Sequence, residues 1–214
     1  MGADDDPGRR PYRQTRRAEM TAQTRARIRE AARALLLDRG YAGTSMRAVA
    51  EHAGVGVRTV YDCYPTKTDL LKQVVEAAIV GDASPVPASG RGWFQGVLDE
   101  PDPVRRGELL AAASTRLHER TAGLFAVARN AAADDEDAAR LWRAGKAGHR
   151  ADCERFARAV VGDDDAALGA LTATLYILIG PETYTLLTSE LGYTPHAYEH
   201  WLSHQLAITF GDAS

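Results

Sequence analysis

The chain has 214 residues, 45% of them hydrophobic and 26% charged, an ordinary globular balance at a length that can bury a sizeable core. No run of about 18 uncharged apolar residues occurs, so no membrane span is expected, and the longest apolar stretch lies around Leu175 to Ile179. The opening Asp4-Asp5-Asp6, followed by arginines, lacks the apolar centre of a secretory signal, and Cys63 and Cys153 form no CxxC pair. A disulfide framework and a zinc ribbon are thereby excluded, and a reduced, cytoplasmic setting is expected.

The net charge of −3 is unevenly spread. Residues 1–81 carry 12 Arg and 2 Lys against 10 acids, a net +4, while the remainder is −7. Between Arg9 and Arg33 nine arginines meet only Glu19 and Glu30. A basic front end on an acidic body suits a polyanion held by the front end alone.

Apolar residues recur at helical spacing nearly everywhere. Residues 1–20, with Pro7, Gly8 and Pro11, read as a flexible basic arm. In 24–39 the stripe Ile28, Ala31, Ala32, Leu35 and Leu36 predicts a helix ended by Gly40. A short second stripe follows, Met46, Val49, Ala50 and Ala53, capped by Ser45 and broken by Gly54-Val55-Gly56. A third (Val57, Val60, Tyr61, Tyr64) stops at Pro65, and Thr66 caps a fourth carrying Leu70, Leu71 and Val74. The stretch 81–92 is rich in Pro, Gly and Ser and marks the clearest boundary. Beyond it, helices are predicted near 93–98, 103–120, 121–132, 135–161, 165–191 and 195–210. Asp134-Asp135 and Asp163-Asp164 fall where helix N-termini favour negative charge, and Pro181 should break or kink the helix that contains it. The fold class is all-α with about nine helices: a basic helical module over 21–81 with a helix-turn-helix motif at about 44–64, then a larger helical domain over 82–214.

Two short helices joined by a glycine turn form a helix-turn-helix pattern. The small residues Ala48, Ala50 and Ala53 permit close crossing, and Gly54 permits the reversal. Arg58, Thr59 and Tyr61 supply the polar groups that a helix needs to reach base edges and phosphates in a major groove. Any amphipathic helix pair shares the stripe, so the competing class is an all-α enzyme or adaptor whose helix-turn-helix is only a packing unit.

The ordered string is more specific: Gly40-Tyr41, Thr44-Ser45-Met46-Arg47-Ala48-Val49-Ala50, Ala53-Gly54-Val55, Arg58-Thr59-Val60-Tyr61, Tyr64-Pro65-Thr66-Lys67 and Leu70-Leu71. Over residues 24–80 it resembles, without gaps, the N-terminal domain of the TetR family of bacterial transcriptional regulators. The run from Tyr184 to Tyr193, with Tyr198, Trp201 and Leu202, resembles the last two helices of many members more loosely. The resemblance implies a homodimeric repressor that binds double-stranded palindromic operator DNA and is released by a small-molecule inducer, with a C-terminal ligand-binding and dimerisation domain. Carried over by position, Ser45, Arg47, Tyr61 and Lys67 would meet the DNA backbone, and Arg58 and Thr59 would read bases or adjoining phosphates. Arg13, Arg16 and Arg17 are candidate arm contacts. Tyr64, in place of the usual Phe, is expected in the core. Cys63 replaces a usual hydrogen-bond donor to phosphate, Gly56 a usual Ser cap, and Asp62 adds negative charge, which together suggest a weaker grip by the second helix.

In the larger domain, Trp93, His118, Phe125, Trp142, His149 and Tyr176, with Phe94 and Tyr184, are candidates for lining a pocket for an apolar or aromatic inducer, or else core. Leu171, Leu175, Leu178, Leu186, Leu187, Trp201 and Leu206 are expected to bury the dimer interface. His196, His200 and His204 recur at i, i+4, i+8, yet the HExxH glutamate is absent, and they read as an interface or solvated face. Asp134 to Asp137 lacks the DDxxD spacing of magnesium-binding helical enzymes and reads as capping. Neither a nucleophile elbow nor a P-loop nor a Rossmann glycine pattern occurs, and no cofactor, metal or catalytic residue is expected.

Overall fold

The computed structural model describes residues 9–81 and 92–213, with side chains described from Glu19 onwards. Among these the chain is helical throughout, with no strand: α1 (Arg9–Arg39), α2 (Met46–Ala53), α3 (Val57–Cys63), α4 (Lys67–Val80), α5 (Gly92–Asp99), α6 (Pro103–Asp134), α7 (Glu136–Val161), α8 (Asp165–Leu178), α9 (Pro181–Thr185), continued by a π turn (Leu186–Glu190), and α10 (Pro195–Ala213). It divides into two compact units, the boundary falling between Val74 and Val75 inside α4. Residues 82–91 of the Pro/Gly/Ser-rich stretch lie outside the described residues.

In the first unit, α1 starts well before the stripe at 24–39, its backbone being helical from Arg9. The physical reason is composition. Pro11 falls in the first turn, where a backbone N–H has no intrahelical partner, and from Tyr12 to Arg39 neither Gly nor Pro interrupts a run rich in Ala and Arg. Ile28, Ala32, Val49, Val60, Leu71 and Tyr64 fill the core, each at most 2% exposed. The Tyr64 hydroxyl donates to the Arg25 carbonyl at 3.2 Å, which settles this tyrosine as a core group with a satisfied polar tip. The third apolar stripe divides instead: Val60 and Tyr64 are buried, while Val57 and Tyr61 point to solvent at 39% and 49% exposure.

In the second unit α6 is a single helix, where the spacing predicts two, at 103–120 and 121–132. No proline interrupts it, and the Thr121 hydroxyl folds back onto the Leu117 carbonyl without opening the turn. α6 packs along α10, and Gly107 makes that approach possible: a Cβ there would stand 3.0 Å from the Ala207 backbone nitrogen. Asp135 caps α7 through the Ala138 N–H, and Asp164 caps α8 through those of Ala166 and Ala167. One aspartate of each acidic pair therefore serves as a helix cap, while Asp134 ends α6 and Asp163 meets Arg158 at 3.3 Å. The expected helix 165–191 breaks where proline requires it, α8 ending at Leu178 and Pro181 opening α9.

The expected interface leucines are largely corrected by burial. Leu171, Leu175, Leu187 and Leu206 are 0–7% exposed within their own chain, so they are spent on its core. The outward positions of α8 are instead Ala166, Gly169, Ala170, Ala173, Thr174 and Ile177. The segment Asp165–Glu190, interrupted at Pro181, is long and apolar enough by composition alone to cross a membrane. Its apolarity escapes a run-length reading because small and hydroxylated residues dilute it.

Candidate nucleic-acid interface and interior polar cluster

The first candidate site is built on α2 and α3. Ser45, in extended conformation, accepts the Ala48 N–H at 3.1 Å and so fixes where α2 starts. Gly54 ends α2 in the left-handed conformation at φ 64°, and its N–H and the next reach back to carbonyls of the last turn. The Arg27 guanidinium on α1 donates to the Ala53 carbonyl at 2.6 Å, closing the C-terminal end of α2. Charge patterning alone gives no sign of that role. Gly56 begins α3 with no side-chain cap, as its lack of a side chain dictates.

α3 presents Arg58 at 94% side-chain exposure, its Nε 4.0 Å from Asp62. On α2, Arg47 lies exposed with its Nε 2.9 Å from Glu51. Exposed i,i+4 pairs of this kind are weak, so both guanidinium groups exchange partners readily. Thr59 is half-buried, Tyr61 exposed and Cys63 half-buried. Val57, an exposed aliphatic one turn before Tyr61, adds an apolar tip to the same short helix, although the stripe by itself assigns it to the core. At the start of α4, Thr66 and Asp69 cap one another, the Thr66 hydroxyl accepting the Asp69 N–H at 2.9 Å. The Lys67 ammonium donates to the carbonyls of Tyr41 at 2.8 Å and Thr44 at 3.0 Å and lies 3.9 Å from the Tyr41 ring centre. Lys67 therefore straps the turn before α2 to α4, besides placing a positive charge there. Arg13, Arg16 and Arg17 belong to α1 by backbone, and their side chains lie outside the described residues.

The second candidate site lies inside the other unit. His118 on α6 is buried, and its Nε2 faces the Ile179 carbonyl at 3.0 Å, just past the end of α8. Because a carbonyl only accepts, Nε2 must carry the hydrogen, which leaves Nδ1 as a bare acceptor without a partner. Burial, outweighing that hydrogen bond, pushes the His118 imidazolium down to about 4, so the ring is neutral at physiological pH. His149 on α7 points Nε2 at the Tyr176 carbonyl at 3.4 Å, and burial lowers its pKa too. Two histidines thus meet carbonyls that the end of α8 leaves without helical partners.

Around them, Tyr184 lies 5.5 Å from the His118 ring and 4.8 Å from Tyr198, and Tyr176 lies 4.9 Å from His149, centre to centre. Lys146 bonds Glu182 at 2.9 Å and sits over the rings of Tyr176 and Trp142. Burial opposes the charge on Lys146, but its bonds to Tyr176 and Glu182 together raise its pKa. The Tyr198 hydroxyl and the Thr172 hydroxyl are buried without partners. Thr172 stands one helical turn before Tyr176, hence on the same side of α8. Cys153, fully buried 3.8 Å from His149, has its thiol pushed up to about 12 by burial and is inert.

Of the six candidate pocket residues, the structure links His149, Tyr176 and Trp142 through Lys146 and places His118 beside them at the α8 end. Trp93 lies elsewhere, lining a groove of about 650 Å³ with Arg116, His196 and His200 between α5, α6 and α10. Phe125 is half-buried on α6. Tyr198, Thr172, Lys146 and Glu182 are not among the pocket candidates read from the sequence. A lone hydroxyl on a helical stripe carries no mark of being unsatisfied, and the lysine and glutamate are 36 positions apart.

Residues 28–74 match the family model of bacterial regulatory proteins, tetR family. Solved structures with the same fold include a transcriptional regulator from Rhodococcus sp. Rha1 (21% identity, 88% of this chain and 96% of that one, TM-score 0.62). A TetR transcription regulator from Haloarcula marismortui is similar at 19% identity, 90% and 98% coverage and TM-score 0.60. A transcriptional regulator of the TerR/AcrR family from Aquifex aeolicus follows at 15% identity, 86% and 98% coverage and TM-score 0.62. No curated protein matches by sequence.

Proposed function

We propose that the chain, whose residues 28–74 match the family model of bacterial regulatory proteins, tetR family, is a homodimeric repressor released from a palindromic operator by a small uncharged ligand. The observation that carries the DNA-reading part is the outer side of α3, where Val57, Arg58 and Tyr61 stand free of the core on a helix held from behind by Val60 and Tyr64. In a major groove, Arg58 would donate to guanine or to a flanking phosphate, and Val57 would meet a thymine methyl. Tyr61, Ser45, Arg47 and the Lys67 charge would hold the backbone, and Thr59, half-buried, would touch a base only at its edge.

Two such heads must sit about 34–36 Å apart to enter successive grooves. Beyond Asp165 at its start, the outward side of α8 carries no charge and supports self-association: Ala166, Gly169, Ala170 and Ala173 allow close helix approach, and Ile177, 66% exposed, gains from cover. The ligand would occupy the polar interior around His118. Buried groups without partners cost about 1–3 kcal/mol each, so a molecule giving a hydrogen to His118 Nδ1 and accepting one from Tyr198 recovers that cost. An uncharged aromatic body suits the rings around it, and the Lys146–Glu182 pair leaves no net charge to balance. Such a ligand acts only if it binds the spread dimer better than the DNA-competent one.

Fluorescence anisotropy with labelled genomic fragments, including the upstream region of the gene itself, tests this reading. Saturable binding to a palindrome that survives about 150 mM salt supports it. Binding that is equal for all fragments, or none at low salt, refutes it.

A further inference from the structure

His196, His200 and His204 recur at four-residue steps on α10, and all three side chains are exposed. Neither the DNA-reading helix nor the polar interior uses them. Four-residue spacing on a helix stacks side chains with Cβ atoms about 5–6 Å apart, close enough for two imidazoles to share one ion at about 2.0–2.1 Å. The three are not equivalent. His196 and His200 both line the groove beside Trp93 and Arg116, whereas His204 lies outside it. His200 and His204 belong to the outward stripe Ala197, His200, His204, Ile208 and Gly211, which contains no Asp, Glu, Lys or Arg.

A histidine pair completes half of a tetrahedral shell. Among the described residues no three His, Cys, Asp or Glu side chains are placed to hold a metal ion, so the remaining ligands must come from outside the chain. The stripe points to a second copy as the source. It carries no Asp, Glu, Lys or Arg to repel itself, Ile208 on it is 48% exposed, and α10 packs beside α8, whose own outward side carries small residues such as Ala170 and Ala173. A two-fold axis through such a surface brings each helix against its mate.

We propose that His200 and His204 from two copies together bind one divalent transition-metal ion, Zn²⁺ being the natural occupant of four imidazoles in tetrahedral array. The inference rests on the proposed α8–α10 dimer. The ion adds a concentration-dependent clamp to that dimer, since metal bound only by the assembled pair stabilises it by mass action.

The experiment titrates chelator-treated full-length protein with ZnCl2 by calorimetry and measures mass by sedimentation equilibrium in EDTA and in Zn²⁺. The expected result is one Zn²⁺ per two chains, with affinity lowered at least about tenfold in His200→Ala and in His204→Ala and unchanged in His196→Ala. Zinc should also shift the wild-type chain toward dimer and leave the His200→Ala/His204→Ala double variant where it was. A dimer in EDTA that takes up no zinc overturns the metal site and leaves the dimer standing. A monomer in EDTA that zinc alone converts to dimer supports the site and refutes a metal-independent dimer. One Zn²⁺ per chain, or binding insensitive to His204→Ala, overturns the proposal, and a monomer in both media overturns the proposal and the dimer together.

Discussion

Acid should loosen the second unit through His118, and the amount can be worked from its burial. The imidazole has a pKa of about 4 in the folded chain against 6.5 in the unfolded one, with desolvation as the leading cause. Between those two values the unfolded chain binds the proton and the folded chain does not, so stability rises with pH across the window and is lost as pH falls from 6.5 toward 4. A tenfold change in proton affinity corresponds to about 1.4 kcal/mol, so the complete loss is roughly 3 kcal/mol, of which about 2 kcal/mol falls between about pH 7 and pH 5. The assay is urea unfolding of the wild type and of His118→Gln at about pH 7 and pH 5. Glutamine keeps an N–H for the Ile179 carbonyl but cannot take up the proton. His149, also lowered by burial, and Glu182, lowered by its bond to Lys146 against the opposing effect of burial, titrate in both proteins and cancel in the comparison. The wild type should lose about 2 kcal/mol more than the variant over that interval. Equal losses would show that His118 is hydrated or already bears its proton, and would refute the reasoning along with the bare Nδ1 acceptor on which the ligand reading leans.

Asp62→Asn should tighten binding to every operator fragment by a few-fold, because it removes a negative charge beside the phosphates and frees Arg58, whereas Arg58→Ala should change which bases are preferred, at about 1–3 kcal/mol for each base it reads; anisotropy across a panel of single-base operator variants separates the two. Lys67→Ala should both weaken DNA binding uniformly and lower the melting temperature, since the ammonium ties the carbonyls of Tyr41 and Thr44 to α4, so an unchanged melting temperature would count against the strap. Gly107→Leu should cost about 1–3 kcal/mol or more by forcing α6 off the Ala207 backbone, read as a fall in the urea midpoint. Removing residues 1–17 should lower the slope of log K against log salt by about 0.9 for each phosphate that the arm neutralises, and an unaltered slope would mean that the arginines there do not touch DNA.

The helix-turn-helix was legible because its requirements are local. A cap such as Ser45, a left-handed glycine such as Gly54 and a small-residue stripe act within a few residues of where they are written, and the structure places each where the spacing demands. The same holds for Asp135 and Asp164 at their helix starts and for Pro181 at the α8–α9 break. Sequence could not tell which side of an apolar helix faces its own core. Leu171 and Leu206 read as well for an interface as for an interior, and only the packing of α6, α7, α8 and α10 against one another assigned them inward and left Ala170, Ala173 and Ile177 outside. Periodicity ranks faces by hydrophobicity, and on α8 both faces are apolar, so the ranking is degenerate.

The interior cluster was half visible for a related reason. Histidines and aromatics announce themselves by type, which is how His118, His149, Tyr176 and Trp142 could be named. The feature that makes them a candidate site is a set of hydrogen bonds made and unmade across the fold: Nε2 of His118 spent on a carbonyl 61 residues away, and Nδ1, the Tyr198 hydroxyl and the Thr172 hydroxyl left without partners. Satisfaction of a polar atom is a property of the surrounding volume rather than of the chain. The sequence by itself therefore determined the all-α class and the helix-turn-helix, whose caps and turn are local. The tertiary structure alone decided which polar groups lie buried and unpaired, and which faces remain for a ligand or a second copy to cover.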